Sequence, residues 1–274
     1  MKSAVTVCLV PEARQGPFVF HDGLDAGCRE AAALGFDAVE VFPAAAAELP
    51  EESLGRLLDA HGLGLAAVGT GAGWLRHGLS FTHADAEVRG RALAFGREIV
   101  DAAGALGAPA IIGSMQGRSS PALPREEALK WLADALEALG DRAASHGQPL
   151  LYEPLNRYET DLLNRQADAL AFLAGRGLGT VKLLCDLFHM NIEEADVAAA
   201  LEGGAGRVGH VHWADSNRRA LGFGHTDPAP LVAALRRIGY EGHLSAEVFP
   251  LPSPRAAAER TIASLRAAAA TRSA

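Results

Sequence analysis

The sequence predicts an α/β fold of the (β/α)8 TIM-barrel type, in which each of eight parallel strands is followed by a helix. Short apolar runs alternate eight times with stretches in which apolar residues recur at helical spacing. The chain has 274 residues, which is near the size at which such a barrel closes. No Pro/Gly/Ser-rich tract and no run of like charges divides the chain, so we expect a single domain over residues 1–274. From the pattern alone, an open doubly wound sheet is the alternative.

The predicted strands are short, apolar and often β-branched, as strands covered on both faces should be. In chain order they are Ala4–Val10, Ala38–Phe42, Leu63–Gly69, Ala110–Met115, Leu150–Leu155, Val181–Leu187, Val208–Ala214 and Leu244–Phe249. Between them, apolar residues recur every three or four positions, most clearly in Asp85–Ala105 and Arg125–Ala144. The chain is therefore predicted to alternate regularly between strands and helices.

Composition and charge exclude several classes of protein. A net charge of −8 argues against a nucleic-acid-binding surface, which needs clustered Lys and Arg. No apolar stretch is long enough to cross a bilayer, and the run Met1–Val10 ends at Pro11 without a cleavage pattern, so we interpret it as a first strand. The three cysteines are too few and too scattered for a disulfide framework, which predicts reduced thiols and a cytoplasmic protein.

Four potential metal ligands end four successive predicted strands: Glu153, Asp186, His212 and Glu247. They are 33, 26 and 35 residues apart, about one strand plus one helix each time. Because parallel β/α units present the carboxyl ends of their strands on one face, these side chains should converge at the mouth of the barrel. Three carboxylates and one imidazole suit Mn²⁺, Mg²⁺ or a similar divalent ion better than a closed structural zinc site does. The chain is therefore predicted to be a metal-dependent enzyme.

Other polar residues lie beside these ligands. His210 and His212 are two positions apart on one strand, so both can face the barrel axis, one as a ligand and the other as its support. Taken alone, His189 is as consistent with a buried structural histidine, and Arg218 beside Arg219 with a pair of solvated charges. The joint occurrence of acidic and histidine side chains on four consecutive strands favours a functional site. No phosphate-binding glycine motif follows the first strand.

These motifs resemble the xylose-isomerase-like superfamily of sugar isomerases and epimerases, and within it the D-tagatose 3-epimerase type of ketose 3-epimerase. The resemblance covers about residues 149 to 250, whereas the first half of the chain shares mainly the β/α rhythm. The residues that carry it are Glu153–Arg157, Cys185–Glu194, Gly209–His212, Asn217–Arg218 and Glu247.

The resemblance implies the roles of individual residues. One divalent ion, Mn²⁺ in the first place and otherwise Mg²⁺, Co²⁺ or Zn²⁺, would be held by Glu153, Asp186, His212 and Glu247. Glu153 and Glu247 would also form the acid/base pair, and the substrate oxygens would be held by His189, Arg218 and Glu159. The expected partner is a small-molecule sugar, and assembly into a homo-oligomer is open. The loops after the first four strands carry no family signature, so the sugar itself is not specified.

The chemistry expected from the residues is proton transfer at a carbon next to a carbonyl. A divalent ion stabilises the charge of the resulting enediolate, while two Glu on opposite faces of the carbon remove and return the proton. An aldose–ketose or hydroxypyruvate-type isomerase and a polyol dehydratase use the same steps and stay open as alternatives. A metal-dependent hydrolase resembling endonuclease IV fits the negative charge poorly, and a non-catalytic sugar-binding module would not need two carboxylates at one metal.

Overall fold

Eight parallel strands close into a barrel in the computed structural model, which describes residues 1–270. Each strand pairs with the next along the chain, and the last pairs back with the first, Val5 opposite Ala246. The strands are β1 (Lys2–Cys8), β2 (Ala38–Phe42), β3 (Gly64–Gly69), β4 (Ala110–Ile112), β5 (Leu150–Tyr152), β6 (Val181–Asp186), β7 (Val208–His212) and β8 (His243–Ala246). The predicted closed barrel is confirmed.

Ten helices connect and surround the strands of the described residues. They are α1 (Leu24–Leu34), α2 (Glu51–His61), α3 (Ala72–His77), α4 (Ala86–Ala105), α5 (Arg125–Ser145), α6 (Gln166–Gly175), α7 (Leu187–Glu193), α8 (Val197–Gly203), α9 (Pro228–Arg237) and α10 (Pro254–Ala270). The two helices predicted from apolar spacing correspond to α4 and α5 within one residue at each end. The predicted domain extends to residue 274, and its last part, 271–274, lies outside the described residues.

The predicted strands are correct in position, but six of the eight are too long at their carboxyl ends, all except those that became β2 and β3. Leu187, predicted as strand, is the first residue of α7, because the Asp186 side chain accepts hydrogen bonds from the N–H groups of Phe188 and His189 and so begins a helix. Glu153 and Glu247 likewise follow the last strand residues rather than lying within the sheet. The chain therefore leaves the sheet where its polar side chains begin.

The apolar core has two parts. Inside the barrel, Ala67, Ile111, Leu151 and Leu184 pack against one another below the polar mouth. A much larger cluster fills the space between the strands and the helices, with fully buried members such as Ile99, Leu132 and Leu136 on α4 and α5. Each fully buried side chain of this kind stabilises the fold by about 1.5–3 kcal/mol. Stability thus comes chiefly from the shell of the barrel, away from its mouth.

The cysteines agree with a further expectation. Cys8, Cys28 and Cys185 are all buried and free, as predicted for core thiols. Within residues 1–270, the helices are all too short or too polar to traverse a bilayer.

Candidate metal centre

The four predicted ligands lie together at the carboxyl ends of β5 to β8. Nδ1 of His212 is 3.2 Å from Oδ2 of Asp186, 3.5 Å from Oε1 of Glu153 and 3.6 Å from Oε2 of Glu247. One potential ligand atom from each of the four residues lies within 4.8 Å of the others, and all four residues are buried. The strand-end spacing in the sequence thus corresponds to a real convergence in space.

The electrostatics of this cluster fit a divalent cation. Oε1 of Glu153 is buried and has no hydrogen-bond partner among the described residues. Burial raises the pKa of Glu153 to about 8, and it also raises the pKa of Glu247. Burial alone would lower the pKa of His212, but the charges of Glu40 and Glu247 raise it well above its usual value. Three clustered carboxylates of which one oxygen is unpartnered are costly without a positive charge between them. A hard divalent ion would supply that charge.

A hydrogen-bond network fixes the backbone from which Glu153 projects. The hydroxyl of Tyr152 donates to Oε1 of Gln116 at 2.6 Å, and Nε2 of Gln116 donates to the carbonyl of Glu153 at 3.0 Å. Gly113 leaves room for the carboxylate, since a Cβ at that position would come within 2.6 Å of Oε2 of Glu153. The loop after β4 therefore holds the predicted ligand that follows β5.

Asp186 has two roles, one for each oxygen. Its Oδ1 accepts from the N–H of Phe188 at 2.7 Å and from that of His189 at 3.3 Å, which caps α7. Its Oδ2 is free of the cap and faces Nδ1 of His212. Burial acts against ionisation of Asp186, but His189, His212 and Arg218 together lower its pKa, so this carboxylate is ionised.

Glu40 is a buried residue of this centre that the sequence did not reveal as functional. It lies in the middle of β2, and its two oxygens accept hydrogen bonds from Nε2 of His210 at 2.7 Å and from Nε2 of His212 at 3.1 Å. Because Nε2 of His212 donates to Glu40, its Nδ1 is left as the atom that faces the three carboxylates. The signal in the sequence was a single Glu among apolar neighbours in Ala38–Phe42.

His189 is held as a neutral hydrogen-bond donor. The backbone N–H and the side-chain amide of Asn156 lie 3.3 and 2.7 Å from its Nδ1, and both are donors, so Nδ1 accepts and Nε2 carries the proton. Burial lowers the pKa of His189, which agrees with a neutral ring. Its Nε2 has no hydrogen-bond partner among residues 1–270 and lies 3.7 Å from Oε1 of Glu153. The N–H is thus available to a bound molecule.

Arg218 lies against the cluster from the loop after β7. Its Nη2 donates to Oε2 of Glu247 at 2.6 Å, and its guanidinium carbon lies 4.9 Å from the centre of the Phe188 ring. Its Nη1 is 3.7 Å from Oε1 of Glu159, which also accepts from the amide of Asn156. Arg218 has a φ of 56°, the left-handed region that side chains other than Gly rarely adopt, so the surrounding loop must hold it there.

Asp215 organises that loop, and sequence reasoning assigned it no role. Its carboxylate accepts four backbone hydrogen bonds, from the N–H groups of Ser216, Gly222, Gly224 and Thr226, at 2.6 to 3.0 Å. Burial acts against its ionisation, but these four donors lower its pKa. The loop 215–226 is therefore wound around one buried carboxylate, and Arg218 projects from it.

A cavity of about 390 Å³ opens above the cluster at the barrel mouth. Five of the seven predicted site residues line it, namely Glu153, Glu159, His212, Arg218 and Glu247. Phe18, Phe42, Trp74 and Leu75 also line it, from the segment after β1, the end of β2 and the helix α3. A larger cavity of about 800 Å³ lies between α9 and α10, and its lining of described residues includes no carboxylate or histidine.

Known proteins place this architecture in a family. The profile of the xylose isomerase-like TIM barrel family matches residues 28–268, and the chain belongs to that family. The chain is similar to an L-ribulose 3-epimerase of Mesorhizobium japonicum, with 44% identity over 115 residues that cover 42% of this chain and 39% of the relative. It is also similar to a 3-dehydro-D-guloside 4-epimerase of Escherichia coli, with 38% identity over 115 residues that cover 42% of this chain and 44% of the relative. The matches thus span about two fifths of these relatives.

A solved structure extends the likeness over the whole fold. The structure of an L-ribulose 3-epimerase superposes with a TM-score of 0.82 at 26% identity, covering 97% of this chain and 94% of that chain. The sequence likeness is thus concentrated in part of the chain, whereas the barrel is shared throughout.

Proposed function

We propose that this protein is a metal-dependent sugar epimerase that inverts the configuration at carbon 3 of a ketose. The observation that carries the proposal is the convergence of two buried carboxylates with unlike partners, Glu153 and Glu247, on one imidazole. The names of the relatives above support the same reaction class. Two alternatives share the first step and differ afterwards: an aldose–ketose isomerase returns the proton to the neighbouring carbon, whereas a polyol dehydratase expels a hydroxyl group as water.

In this proposal one divalent ion is held by Glu153, Asp186, His212 and Glu247. When bound, it supplies Lewis-acid stabilisation of negative charge that develops on the substrate oxygens. Mn²⁺ is the proposed ion, because three carboxylates and one imidazole make a set richer in oxygen than most zinc sites. Glu40 would keep Nδ1 of His212 directed at the ion by accepting a hydrogen bond from Nε2.

Glu153 and Glu247 perform the proton transfers. One carboxylate removes the proton from the carbon next to the carbonyl, and the other delivers a proton to the opposite face of the same carbon. Their surroundings differ in a way that suits distinct roles. Glu247 is ion-paired with Arg218 at 2.6 Å, whereas Oε1 of Glu153 has no partner within the described residues and faces the N–H of His189.

The other polar residues of the cavity bind the sugar. His189 donates its Nε2 proton to a substrate oxygen, and Arg218 donates from a guanidinium that also holds Glu247 in place. The side chain of Glu159 is 40% exposed on the cavity wall and accepts a hydrogen bond from a hydroxyl group of the sugar. These contacts fix the reacting carbon between the two Glu carboxylates.

The proposal also includes the cellular location and the domain organisation of the enzyme. We place it in the cytoplasm, since three buried free thiols suit a reducing compartment, and treat residues 1–274 as one domain. Cell fractionation and limited proteolysis test these two points.

Incubation of a free ketose with the metal-loaded protein in D₂O tests the reaction. We expect deuterium at C3 of the epimeric product, observed by NMR, and no aldose. Glu153→Gln and Glu247→Gln should each abolish net epimerisation, because each carboxylate is needed for one half of the transfer, and exchange at C3 can persist in one of the two variants.

The outcome that contradicts the proposal is also specific. Label at C1 with an aldose as product would identify an isomerase, and loss of water from the sugar would identify a dehydratase. Glu52→Gln, on the exposed surface of α2, is the matched control and should leave the rate unchanged.

A further inference from the structure

A second cavity, of about 540 Å³, adjoins the one above the metal centre. The two share four lining residues, Trp74, Ser114, Leu155 and Glu159, so the outer cavity opens directly from the inner one. The loops after β3, β4 and β5 form it, all on the face that carries the cluster. A molecule that reaches the reacting carbons can therefore extend into it without a break in the protein surface.

The inner cavity alone has room for a simple ketose. Its volume of about 390 Å³ already falls within the roughly 300–1,000 Å³ typical of small-molecule sites. The outer cavity is larger than the inner one. A free monosaccharide would leave this outer space unused.

The lining of the outer cavity is suited to hydroxyl groups. The side chains of Ser114, Arg118, Ser120 and Tyr158 line it, and within the part of the chain that the structure describes they make no side-chain hydrogen bond or ion pair. Together they offer three hydroxyl groups and one guanidinium to a ligand. Hydroxyl groups that line a concave site without internal hydrogen-bond partners are available for recognition.

Two exposed aromatic side chains complete the site. Tyr158 is 76% exposed and Trp74 is 46% exposed, although large aromatic residues normally bury most of their surface. Trp74 lies where the two cavities meet, and Tyr158 lines only the outer one. A flat apolar ring beside free hydroxyl donors matches the C–H face and the hydroxyl edge of a pyranose ring.

We infer that the outer cavity is a subsite for a second sugar, so that the substrate is a carbonyl sugar bearing a glycosidic substituent rather than a free monosaccharide. This inference rests on the proposed function, since it names the substrate class of the same site. The charge of Arg118 does not make the subsite an anion site, because the carboxylate of Asp161 offsets it: burial raises the pKa of Asp161, but the hydrogen bonds from Ser119 and, to a smaller extent, the charge of Arg118 lower it. A neutral, hydroxyl-rich group fits better than a phosphate.

The test compares four probes on the metal-loaded protein: a free ketohexose, the same ketohexose glucosylated on its terminal hydroxyl, its terminal phosphate ester, and a glucoside oxidised to a ketone on its ring. We expect kcat/KM for at least one glycosidic probe to exceed that for the free ketohexose at least tenfold. Arg118→Ala and Tyr158→Ala should each lower, at least fivefold, the ratio of kcat/KM for that glycosidic probe to kcat/KM for the free ketohexose. Arg97→Ala, an exposed arginine on α4, is the matched control and should leave the ratio unchanged.

Calorimetric binding of the same probes separates this inference from the proposed reaction. A lower Kd for a glycosidic probe than for the free ketohexose supports the subsite if Arg118→Ala removes the difference. This holds even if no probe is turned over. The absence of turnover for every probe would overturn the epimerase proposal instead. Equal Kd and kcat/KM for free and glycosidic probes, or a preference for the phosphate ester, would overturn the subsite.

Discussion

At the scale of single residues, the neighbours of each buried histidine in the centre set its pKa. His189 and His212 are both buried, yet burial lowers the pKa of His189 while neighbouring carboxylates raise that of His212. The difference comes from what each ring nitrogen meets: amide donors at Nδ1 of His189, and carboxylates on both sides of His212. Residue type alone does not set these states.

Replacement of Arg218 by Ala should lower kcat/KM by roughly ten- to a hundredfold, because a hydrogen bond to a charged group contributes about 1.5–3 kcal/mol. Metal affinity should change little, since Arg218 is not one of the clustered ligands. Steady-state kinetics with a sugar that the wild type turns over check this expectation. Arg219→Ala is the control, because that guanidinium lies over the Phe223 ring instead. Equal kinetics for the two variants would remove Arg218 from the site.

Replacement of Glu40 by Gln should weaken metal binding by about 10- to 100-fold, the usual cost of losing the partner of a ligating histidine. The amide keeps one oxygen, so it cannot accept from both His210 and His212. Competition titration with a chelating dye measures the affinity, and circular dichroism checks the fold. An unchanged affinity would show that Glu40 is only structural.

At the scale of elements, most of the proposed site residues lie at the last residue of a strand or in the segment that follows it, and local hydrogen bonds fix these segments. Asp186 caps α7, Gln116 holds the backbone of Glu153, and Asp215 holds the loop 215–226. Phe249 donates its backbone N–H to the carbonyl of Arg218 at 2.8 Å, which ties the loop after β8 to the loop after β7. The mouth of the barrel is therefore organised by polar contacts, in contrast with its apolar shell.

Replacement of Asp215 by Asn should destabilise the protein at neutral pH and lower kcat/KM, because the amide offers one acceptor atom to the four N–H donors of the loop. The folded-state pKa of Asp215 is lowered, so its contribution is present above the unfolded pKa of about 3.9 and is lost as the pH falls through the folded value.

Denaturant unfolding of the wild type and Asp215→Asn at several pH values measures this contribution. The gap in the free energy of unfolding should be constant near pH 7 and should shrink in acid. A gap that widens as the pH falls would contradict the assignment. Asp227→Asn, at the exposed start of α9, is a control with a single capping bond at 2.9 Å.

At the scale of the whole molecule, the core that holds the barrel together lies apart from the centre that we propose to be catalytic. Removal of metal with a chelator should therefore abolish activity and leave the fold intact, since the apolar shell is unaffected. Activity assays and far-ultraviolet circular dichroism, before and after chelation, check this expectation. Unfolding on chelation would contradict it.

Without metal, ionisation of Glu153 should make the folded protein less stable as the pH rises. The folded-state pKa of Glu153 is raised to about 8, so ionising this carboxyl costs stability as the pH rises above the unfolded value of about 4.3, and the cost is complete above about 8. In chelator, Glu153→Gln should have a higher Tm than the wild type, and the difference should grow between about pH 5 and 8. Added Mn²⁺ should reverse the order. A difference that is independent of pH would contradict this assignment.

The sequence by itself determined the barrel and four of its proposed site residues, because both follow from the regular alternation of strands and helices along the chain. Apolar runs with regular helical stretches between them require a β/α alternation, and parallel strands that close a barrel present their carboxyl ends on one face. Any polar side chain at those ends must then reach the mouth. Glu153, Asp186, His212 and Glu247 could be found in this way, although their distances and protonation could not.

Only the tertiary structure decided what depends on contacts between distant parts of the chain. Glu40 and His212 are 172 residues apart, and nothing local in Ala38–Phe42 says that its Glu meets two histidines of β7. The left-handed backbone of Arg218, the loop wound on Asp215 and the outer cavity beside Trp74 likewise arise from loops whose path no periodicity encodes. Strand order fixes where side chains emerge, but the partners that set their charge and orientation come together only when the barrel closes.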